Sequence, residues 1–428
     1  MAEVISINGD EVVLQVKVKL KGSMLEMEQA IQSAVNEVGN LATKEAIERF
    51  DTNGTPIQIG SVRMTSRGLV RKRYETPYGS VDVSRHLYQT SSGGKTYCPL
   101  DDRARIVTSS TPHFARQISS KYARLPSQEV MDDLSVNHGR QVVRAFVQNV
   151  ANTVGSIAAA TEEDWMYETP KQEKAVTTVS VSLDGTCIYL CEDGWREAMS
   201  GTIALYDRTG ERLHTIYLGA APEYGKAKFL ERLEREVYNI KLQYPNAIYV
   251  GIADGTKTNW DFLERHTQHQ ILDFYHATEY LAQASYGMHP IHENERNDWL
   301  DMACHRLKHD RNGALELLDE IKAVLPQRKK RELIDKMQKA ITYFSNQRHR
   351  MHYEQYSAMN FPIGSGVTEA ACKSLIKQRL CQSGMKWKNR GVTMVLRLRE
   401  LISSEGRWEQ FWDRFNQVGL MGMGSFVC

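Results

Sequence analysis

The feature that most limits the fold of this 428-residue chain is a change of pattern near residue 177. Polar and apolar residues alternate from Thr177 to Leu183, as they do in a half-buried strand. Three further strand patterns follow, at 187–190, 202–206 and 214–218. A helical pattern over about 226–244 then leads to the compact apolar run Ile248–Ala253, which is typical of a buried parallel strand. This order predicts an α/β fold in which an antiparallel meander of three strands is followed by a parallel strand.

The residues after this run complete the predicted sheet and then change to helices alone. A helix, a fifth strand and a second helix are predicted in turn, at 260–266, 271–274 and 277–285. Helical periodicity without any strand signal follows over the next seventy or so residues. The predicted divisions are a mixed five-stranded sheet with its helices at 161–288, an all-helical insertion at 289–360, and a final helix with a C-terminal segment at 361–428.

Two further divisions, 1–60 and 61–160, are predicted before the sheet. Apolar residues at helical spacing predict a helix over 22–50. Thr76–Gly79 is a turn signal followed by alternating residues, and it comes directly after a basic segment that includes Arg71, Lys72 and Arg73. We therefore expect a basic β-hairpin in the second of these divisions.

Two short helical patterns, Ser127–Leu134 and Arg140–Val150, surround turn residues at 137–139 and are compatible with a helix-turn-helix motif. In that motif Arg140 and Arg144 would face a DNA groove. The shared core would be formed by Val130, Leu134, Val136, Val143 and Phe146. An ordinary helical hairpin fits the pattern at least as well. The first reading makes 61–160 an α-helical and β-hairpin DNA-binding region.

The composition is that of a folded water-soluble protein, with 41% hydrophobic and 25% charged residues. No apolar run approaches the roughly 18 residues of a membrane span, and the first residues lack a signal-peptide pattern, so we expect a cytoplasmic protein. The net charge of +2 does not itself favour nucleic acid, but basic residues outnumber acids between Glu369 and Glu400. Seven cysteines without a CxxC pair indicate buried thiols more than disulfides or a zinc site.

Three carboxylates stand where they could form a catalytic site. Asp184 and Asp254 each end a strand pattern and precede a glycine, although an Asp-Gly pair alone is mostly a turn signal. Glu369 opens a helical pattern in which Lys373 and Lys377 follow at four-residue spacing. The same spacing is found in helices stabilised only by surface ion pairs, which is the alternative for this segment.

These motifs carry a family resemblance. Leu183–Thr186, Ala253–Gly255, Leu272–Ala277 and Gly364–Trp387, taken in this order, resemble the ISKra group of insertion-sequence transposases and, more distantly, Mutator-like transposases. The resemblance covers roughly residues 177–400, and the ordered combination is more specific than any single motif. It implies an RNase H-like sheet and a DNA transposase of the aspartate-aspartate-glutamate type, which cleaves and joins DNA strands.

The resemblance implies that Asp184, Asp254 and Glu369 bind two magnesium ions, with manganese as a possible substitute. Oxygen ligands suit these ions, and a pair of ions can activate the attacking oxygen and stabilise the leaving one during displacement at phosphorus. Asp273 and His276 match a D-x-x-H motif with a supporting role. Asp273 is also the main rival to Asp254 for the second catalytic position.

The resemblance also implies DNA-binding residues and partners. Lys373, Lys377 and Arg379 would bind phosphates, and Trp387 would either stack on an unpaired base or pack in the core. The expected partners are the terminal inverted repeats of the transposon, target DNA and at least one further copy of the chain, in a nucleoid-associated protein. Two alternatives stay open: an RNase H-like endonuclease or resolvase that does not join strands, and a non-catalytic DNA-binding protein derived from a transposase.

Overall fold

The computed structural model describes residues 2–422 and divides the chain into two compact units. The first unit contains the residues up to Glu168, together with Thr393–Ile402 and the residues from Gly406 onward. The second unit contains Thr169–Val392 with Ser403–Glu405. Among the described residues no helix is both long and apolar enough to cross a membrane.

The first unit begins with a hairpin that the sequence patterns did not predict, formed by antiparallel strands β1 (Ala2–Asn8) and β2 (Glu11–Val16). Helix α1 (Met24–Glu48) follows, close to its predicted bounds. Its first turn is held by a capping box, in which Ser23 accepts from the backbone of Glu26 and the Glu26 carboxylate accepts from the backbone of Ser23.

The predicted hairpin is present and belongs to a four-stranded antiparallel sheet. Its strands, in order across the sheet, are β3 (Ile57–Ile59), β4 (Val62–Glu75), β5 (Ser80–Thr90) and β6 (Gly93–Tyr97). The turn closes where predicted, because the N–H of Thr76 donates to the carbonyl of Gly79. The basic character is partly neutralised, since Arg71 and Arg73 both pair with Asp82 on the facing strand.

Four helices follow: α2 (Pro99–Arg103), α3 (Pro112–Arg124), α4 (Ser127–His138) and α5 (Arg144–Asp164). Gly139 ends α4 in the left-handed conformation (φ 63°), as its place in the turn signal indicated. The predicted shared core is only partly correct. Val130 and Leu134 are fully buried, but Val136 and Val143 are 81% and 68% exposed, because α4 runs past the predicted end and α5 begins later.

The second unit is built on a mixed five-stranded sheet, as predicted. Its first part comprises β7 (Thr178–Leu190), β8 (Gly194–Tyr206), β9 (Arg212–Ala220), α6 (Ala227–Gln243), β10 (Ile248–Ala253), α7 (Lys257–His266), β11 (His269–Leu272) and α8 (Phe274–Met288). The strand order across the sheet is β11-β10-β7-β8-β9. Strands β7, β8 and β9 are antiparallel neighbours, and β10 lies parallel to both β7 and β11.

Apolar side chains of the sheet pack with α6 and α7 in one core. Gly201 of β8 leaves room for this packing, because a Cβ atom there would lie 3.1 Å from the ring of Phe229 on α6. One boundary differs from the prediction. The patterns before and after Asp184 belong to the single strand β7, so Asp184 lies within a strand and does not end one.

The segment 289–360 contains helices and connecting turns but no strand. It contains α9 (Glu293–His309), α10 (Gly313–Val324), α11 (Arg331–Gln347) and α12 (Tyr353–Ala358), with two short 3-10 turns. The chain then returns to the sheet as α13 (Gly366–Ala371), a π-helical segment (Cys372–Lys377) and α14 (Gln378–Leu380). Helices α15 (Asn389–Ser403) and α16 (Arg407–Gly422) complete the described chain.

Candidate active site

Three aspartates lie at one level of the sheet in the second unit. On the parallel strands β7 and β10, Ser182 is opposite Ile252, so two residues further along each strand Asp184 is level with Asp254. On β10 and β11, Ala253 is opposite Leu272, so the next residues, Asp254 and Asp273, are level as well. The register therefore brings carboxylates from positions far apart in the chain to one level of the sheet, at the middle of β7 and just after the carboxyl ends of β10 and β11.

Asp184 is half-buried and held by its neighbours. Its Oδ1 accepts from the N–H of Gly185 at 2.7 Å, and the Cys372 thiol lies 3.6 Å from its Oδ2. Burial raises the pKa of the Asp184 carboxyl above its usual value, and the negative charge of Asp254 raises it further. A cation bound here would favour the ionised form of Asp184, which burial and the nearby charge of Asp254 disfavour.

Asp254 is held from two sides. Its carboxylate accepts from the backbone N–H and the hydroxyl of Thr256, at 3.1 and 3.2 Å. Its carbonyl accepts from the Tyr343 hydroxyl at 2.7 Å, and Gln347 donates to the carbonyl of Gly255 at 3.3 Å. Gly255 has φ +114°, a conformation that favours glycine, and a Cβ there would lie 3.2 Å from the Tyr343 ring. Helix α11 of the insertion thus packs directly on the turn that carries Asp254.

Asp273 is fully buried, and its carboxylate accepts hydrogen bonds from backbone N–H groups. Its Oδ1 caps α8 by accepting from the N–H of His276 at 2.8 Å, and its Oδ2 accepts from both the N–H and the hydroxyl of Ser365. Its hydrogen-bonding capacity is therefore largely used within the fold. Asp254, the less buried of the two rivals, is the one whose charge raises the pKa of Asp184.

Glu369 lies in the first turn of α13 and is exposed, with its Oε1 3.1 Å from the Ser365 hydroxyl. The helix is fixed to β8 by a buried hydrogen bond of 2.6 Å between the hydroxyls of Thr368 and Thr202. Less than one turn after Glu369, Cys372 contacts Asp184. The segment that carries Glu369 is thus attached to Asp273 through Ser365 and contacts Asp184 through Cys372.

The donor chemistry of these residues suits a hard divalent cation, because all three side chains offer carboxylate oxygens. As placed in the described part of the chain, however, no three acidic, histidine or cysteine side chains form a ready cation site. Asp254 is close enough to Asp184 to raise its pKa, whereas the Glu369 carboxylate is turned toward Ser365. A shared site therefore requires Glu369 to change rotamer, which its exposure permits.

The residues expected to support the site or bind DNA have different surroundings. His276 is partly buried, with its ring edge-on to Tyr280 and Tyr343 and its Nδ1 3.3 Å from Glu279. Lys373 and Lys377 are exposed on the π-helical segment, where phosphates could reach them.

Two arginines differ from expectation, and Trp387 packs on one of them, which is one of the two alternatives given for it. Arg379 is only 1% exposed and its guanidinium lies over the Trp387 ring, 5.1 Å from the ring centroid. The Trp387 indole N–H donates to the carbonyl of Leu380, so this ring is a packing element. Arg140 is 6% exposed, because its guanidinium packs on the turn of the hairpin, where it donates hydrogen bonds to the carbonyl of Thr76 and the carboxylate of Glu75. A DNA groove is thus out of reach for Arg140, while Arg144 is exposed and bonds Gln128.

Sequence reasoning missed four residues that shape the site: Ser365, Cys372, Tyr343 and Glu197. Ser365 and Cys372 flank Glu369 in the chain and could have been suspected from that position alone. Tyr343 and Glu197 offered no signal, because they reach the aspartates only through the packing of α11 and the pairing of β7 with β8.

No model of a protein family matches this chain, and a search of curated proteins finds no similar sequence.

Proposed function

We propose that the chain is a DNA transposase whose second unit performs metal-dependent phosphoryl transfer with Asp184, Asp254 and Glu369. The observation that carries the proposal is the shared level of Asp184 and Asp254 on adjacent parallel strands, where the charge of Asp254 contributes to raising the pKa of Asp184. Asp254 directly follows the carboxyl end of β10, which is where functional residues of parallel sheets commonly stand, because loops there leave room for a ligand.

The strand order supports an RNase H-like identity for this sheet. Three antiparallel strands followed by two parallel ones, with the first and fourth strands adjacent, is the order that the transposase resemblance implies. The all-helical insertion falls between the second aspartate and the glutamate, as in the predicted arrangement. The motifs around Asp184, Asp254 and Asp273 share one level of the sheet, and Ser365 and Cys372 link the motif of Glu369 to them, as a common catalytic role requires.

Magnesium ions, or manganese in their place, would polarise the scissile phosphate and activate the attacking hydroxyl or water. The residues of the chain have separate tasks. Asp184 and Asp254 supply a fixed pair of negative charges, and Glu369 is exposed enough to turn from Ser365 toward them. Asp273 positions the loop before α13 by holding Ser365, and His276 packs against Tyr343, the residue that holds the carbonyl of Asp254.

DNA would be bound near this site by Lys373 and Lys377, whose exposed ammonium groups follow Glu369 along the chain. Recognition of terminal inverted repeats is proposed for the first unit, where Arg144 remains an exposed candidate. Joining two transposon ends to target DNA would need at least two copies of the chain. These assignments rest on the resemblance together with the exposure of the residues named.

The test compares magnesium-dependent cleavage of DNA carrying the terminal repeats by Asp184→Asn, Asp254→Asn and Glu369→Gln. Each change should abolish cleavage and leave DNA binding within about threefold, because it removes a metal ligand and no phosphate contact. Asp319→Asn, in an exposed residue of α10, is the matched control and should cut normally. Substantial cleavage by one of the three variants would remove that residue from the site.

Product analysis in the same assay tests strand joining. A transposase should yield DNA in which the cleaved 3′ end is linked to a target strand, together with the hydrolysed ends. Hydrolysis alone would favour the endonuclease or resolvase alternative. Specific binding without any cleavage by the unchanged chain would favour the non-catalytic alternative.

A further inference from the structure

An apolar stripe on helix α1 of the first unit faces solvent. Met24, Ile31 and Val35 are 63%, 41% and 54% exposed, and Val38 and Ala42 are partly exposed. At about 100° per residue, these five side chains lie within about 40° of one line along the helix. Exposed apolar side chains that are contiguous, and not scattered singly, commonly mark a surface that binds a partner.

The other sides of α1 are occupied by the rest of the first unit. Ile47 is buried against the four-stranded sheet, and the β1–β2 hairpin also contacts the helix. Arg49, directly after the helix, pairs with Asp10 in the turn of that hairpin at 3.3 Å. Within residues 2–422 these contacts leave most of the stripe uncovered, so it is available to a partner outside the chain.

Side-chain size changes along the stripe. Its first half carries Met24, Ile31 and Val35, whereas Ala42 and the exposed Ala46 end it with small side chains. If a second copy of the helix runs antiparallel, with Val35 at the two-fold axis, Met24 of each copy lies opposite Ala46 of the other. Large side chains then meet small ones, which favours close packing. A parallel pair would place large side chains against large ones.

The charges at the two ends of α1 favour the same arrangement. Lys19 and Lys21 precede the helix, are exposed and form no ion pair with any described residue. Glu45 and Glu48 lie in its last turn, which contains no basic residue. An antiparallel pair therefore brings the lysines of one copy close to the glutamates of the other, whereas a parallel pair brings like charges together. Glu28 lies beside the stripe, where the small side chains of the other copy leave its carboxylate in solvent.

We propose that α1 is the surface through which two copies of this chain form a dimer, with the two helices antiparallel about a two-fold axis near Val35. A two-fold dimer needs one patch that is complementary to itself, and the stripe meets this requirement in both size and charge. The dimer forms without DNA or metal, so the inference goes beyond the proposed function. It would also supply the second copy that the joining of two transposon ends needs.

The test is analytical ultracentrifugation of the full chain in EDTA and without DNA. The unchanged chain should sediment as a dimer that dissociates on dilution. The double change Ile31→Glu with Val35→Glu should raise the Kd of the dimer at least about tenfold, because it places charges in the apolar contact. Ile291→Glu is the matched control, since Ile291 is 82% exposed but belongs to the second unit, and it should leave the Kd unchanged.

Charge exchange tests the pairing of the helix ends. Lys19→Glu with Lys21→Glu should raise the Kd, and so should Glu45→Lys with Glu48→Lys, because each pair of changes brings like charges together at both ends of the contact. All four changes in one chain should return the Kd to within about threefold of the unchanged value. A monomeric unchanged chain, or an unaltered Kd in Ile31→Glu with Val35→Glu, would overturn the inference.

Disulfide trapping tests the orientation. A copy with Met24→Cys, mixed with a copy with Ala46→Cys and oxidised, should form a disulfide between the two copies, above the background that the native cysteines of the unchanged chain give. Neither variant should form this link alone. A link between two Met24→Cys copies would show a parallel pair and overturn the antiparallel arrangement.

The dimer and the catalytic assignment fail in different ways. If the chain is a monomer while Asp184→Asn abolishes cleavage, the dimer inference alone falls. If the dimer depends on α1 as described while Asp184→Asn still cleaves DNA, the catalytic assignment alone falls.

Discussion

Asp273 holds Ser365, 92 residues further along the chain, by accepting hydrogen bonds from both its backbone N–H and its hydroxyl group. The same carboxylate caps α8. The loop that leads into the helix of Glu369 is thereby attached to the end of β11. The attachment explains how a fully buried aspartate can share a level with Asp184 and Asp254 and still have a structural task.

Asp273→Ala should lower the free energy of unfolding by about 2–4 kcal/mol, because it removes a helix cap and leaves the Ser365 donors without their acceptor. Asp254→Ala should cost under about 1 kcal/mol, since Asp254 is partly exposed. Urea denaturation of both variants measures the difference. A loss for Asp273→Ala no larger than that for Asp254→Ala would show that the structural role of Asp273 is wrong.

Tyr343→Phe should reduce cleavage roughly tenfold, because the turn that positions Asp254 loses the hydrogen bond to its carbonyl. The free energy of unfolding should fall by about 1 kcal/mol. Tyr280→Phe is the control, since it removes a hydroxyl from the ring that stacks on Tyr343 at 3.8 Å and keeps the stack. Equal cleavage rates for the two variants would contradict a positioning role for the Tyr343 hydroxyl.

The lowered pKa of Asp207 predicts that the free energy of unfolding decreases at acidic pH. A hydrogen bond from the Thr209 hydroxyl, with others from the backbone of Glu211 and Thr209 and from Lys174, lowers the pKa of Asp207 from 3.8 to about 2. Because the folded state favours the ionised form, this stabilisation is complete above about pH 4 and is lost as the pH falls through about 2.

Asp207→Asn should therefore unfold at a lower urea concentration than the unchanged chain at pH 6, and the difference should shrink between pH 4 and pH 2. Urea midpoints measured across this range provide the test. A difference that stays constant with pH would mean that the charge of Asp207 does not contribute.

The double change Lys373→Ala with Lys377→Ala should weaken DNA binding and make it less dependent on salt. The slope of log affinity against log salt concentration should become shallower by about 0.9 for each phosphate that the protein no longer neutralises. Lys339→Ala, in an exposed lysine of α11, should leave the slope unchanged. An unchanged slope in the double variant would show that these lysines do not bind DNA phosphates.

Arg379→Ala should instead lower the free energy of unfolding by roughly 1–3 kcal/mol, since Arg379 is buried against Trp387.

Sequence patterns predicted most of the second unit, because its strands and helices repeat local preferences over long segments. The apolar run Ile248–Ala253 and the helical periodicity of 289–360 were sufficient to predict a buried strand and an insertion without strands. The boundary at Asp184 was missed, since Asp-Gly usually marks a turn, whereas here β8 continues to pair through it.

Long-range pairing explains the other differences. Arginine is usually a surface residue, and Arg140 is buried here because it donates hydrogen bonds to Thr76 and Glu75, which lie more than 60 residues earlier in the chain. The exposure of Val136 and Val143 likewise follows from where α4 ends and α5 begins, which single-residue preferences do not fix. The functions of Asp254 and Asp273 could not be distinguished in the sequence, because what separates them is the hydrogen bonding of Ser365.

The π-helical segment Cys372–Lys377 has a geometric consequence for the residues around it. In a continuous α-helix, residues four apart advance by about 40° around the axis, so a row at this spacing winds away from its starting face. A π-helical segment has more residues per turn than an α-helix, so it offsets the rotation of this row. Here Thr368, Cys372, Ile376 and Leu380 all remain buried at a strict four-residue interval. The row of Glu369, Lys373 and Lys377, which is displaced by one residue and so by about 100° around the axis, can therefore run straight along an exposed face and align one carboxylate with two ammonium groups.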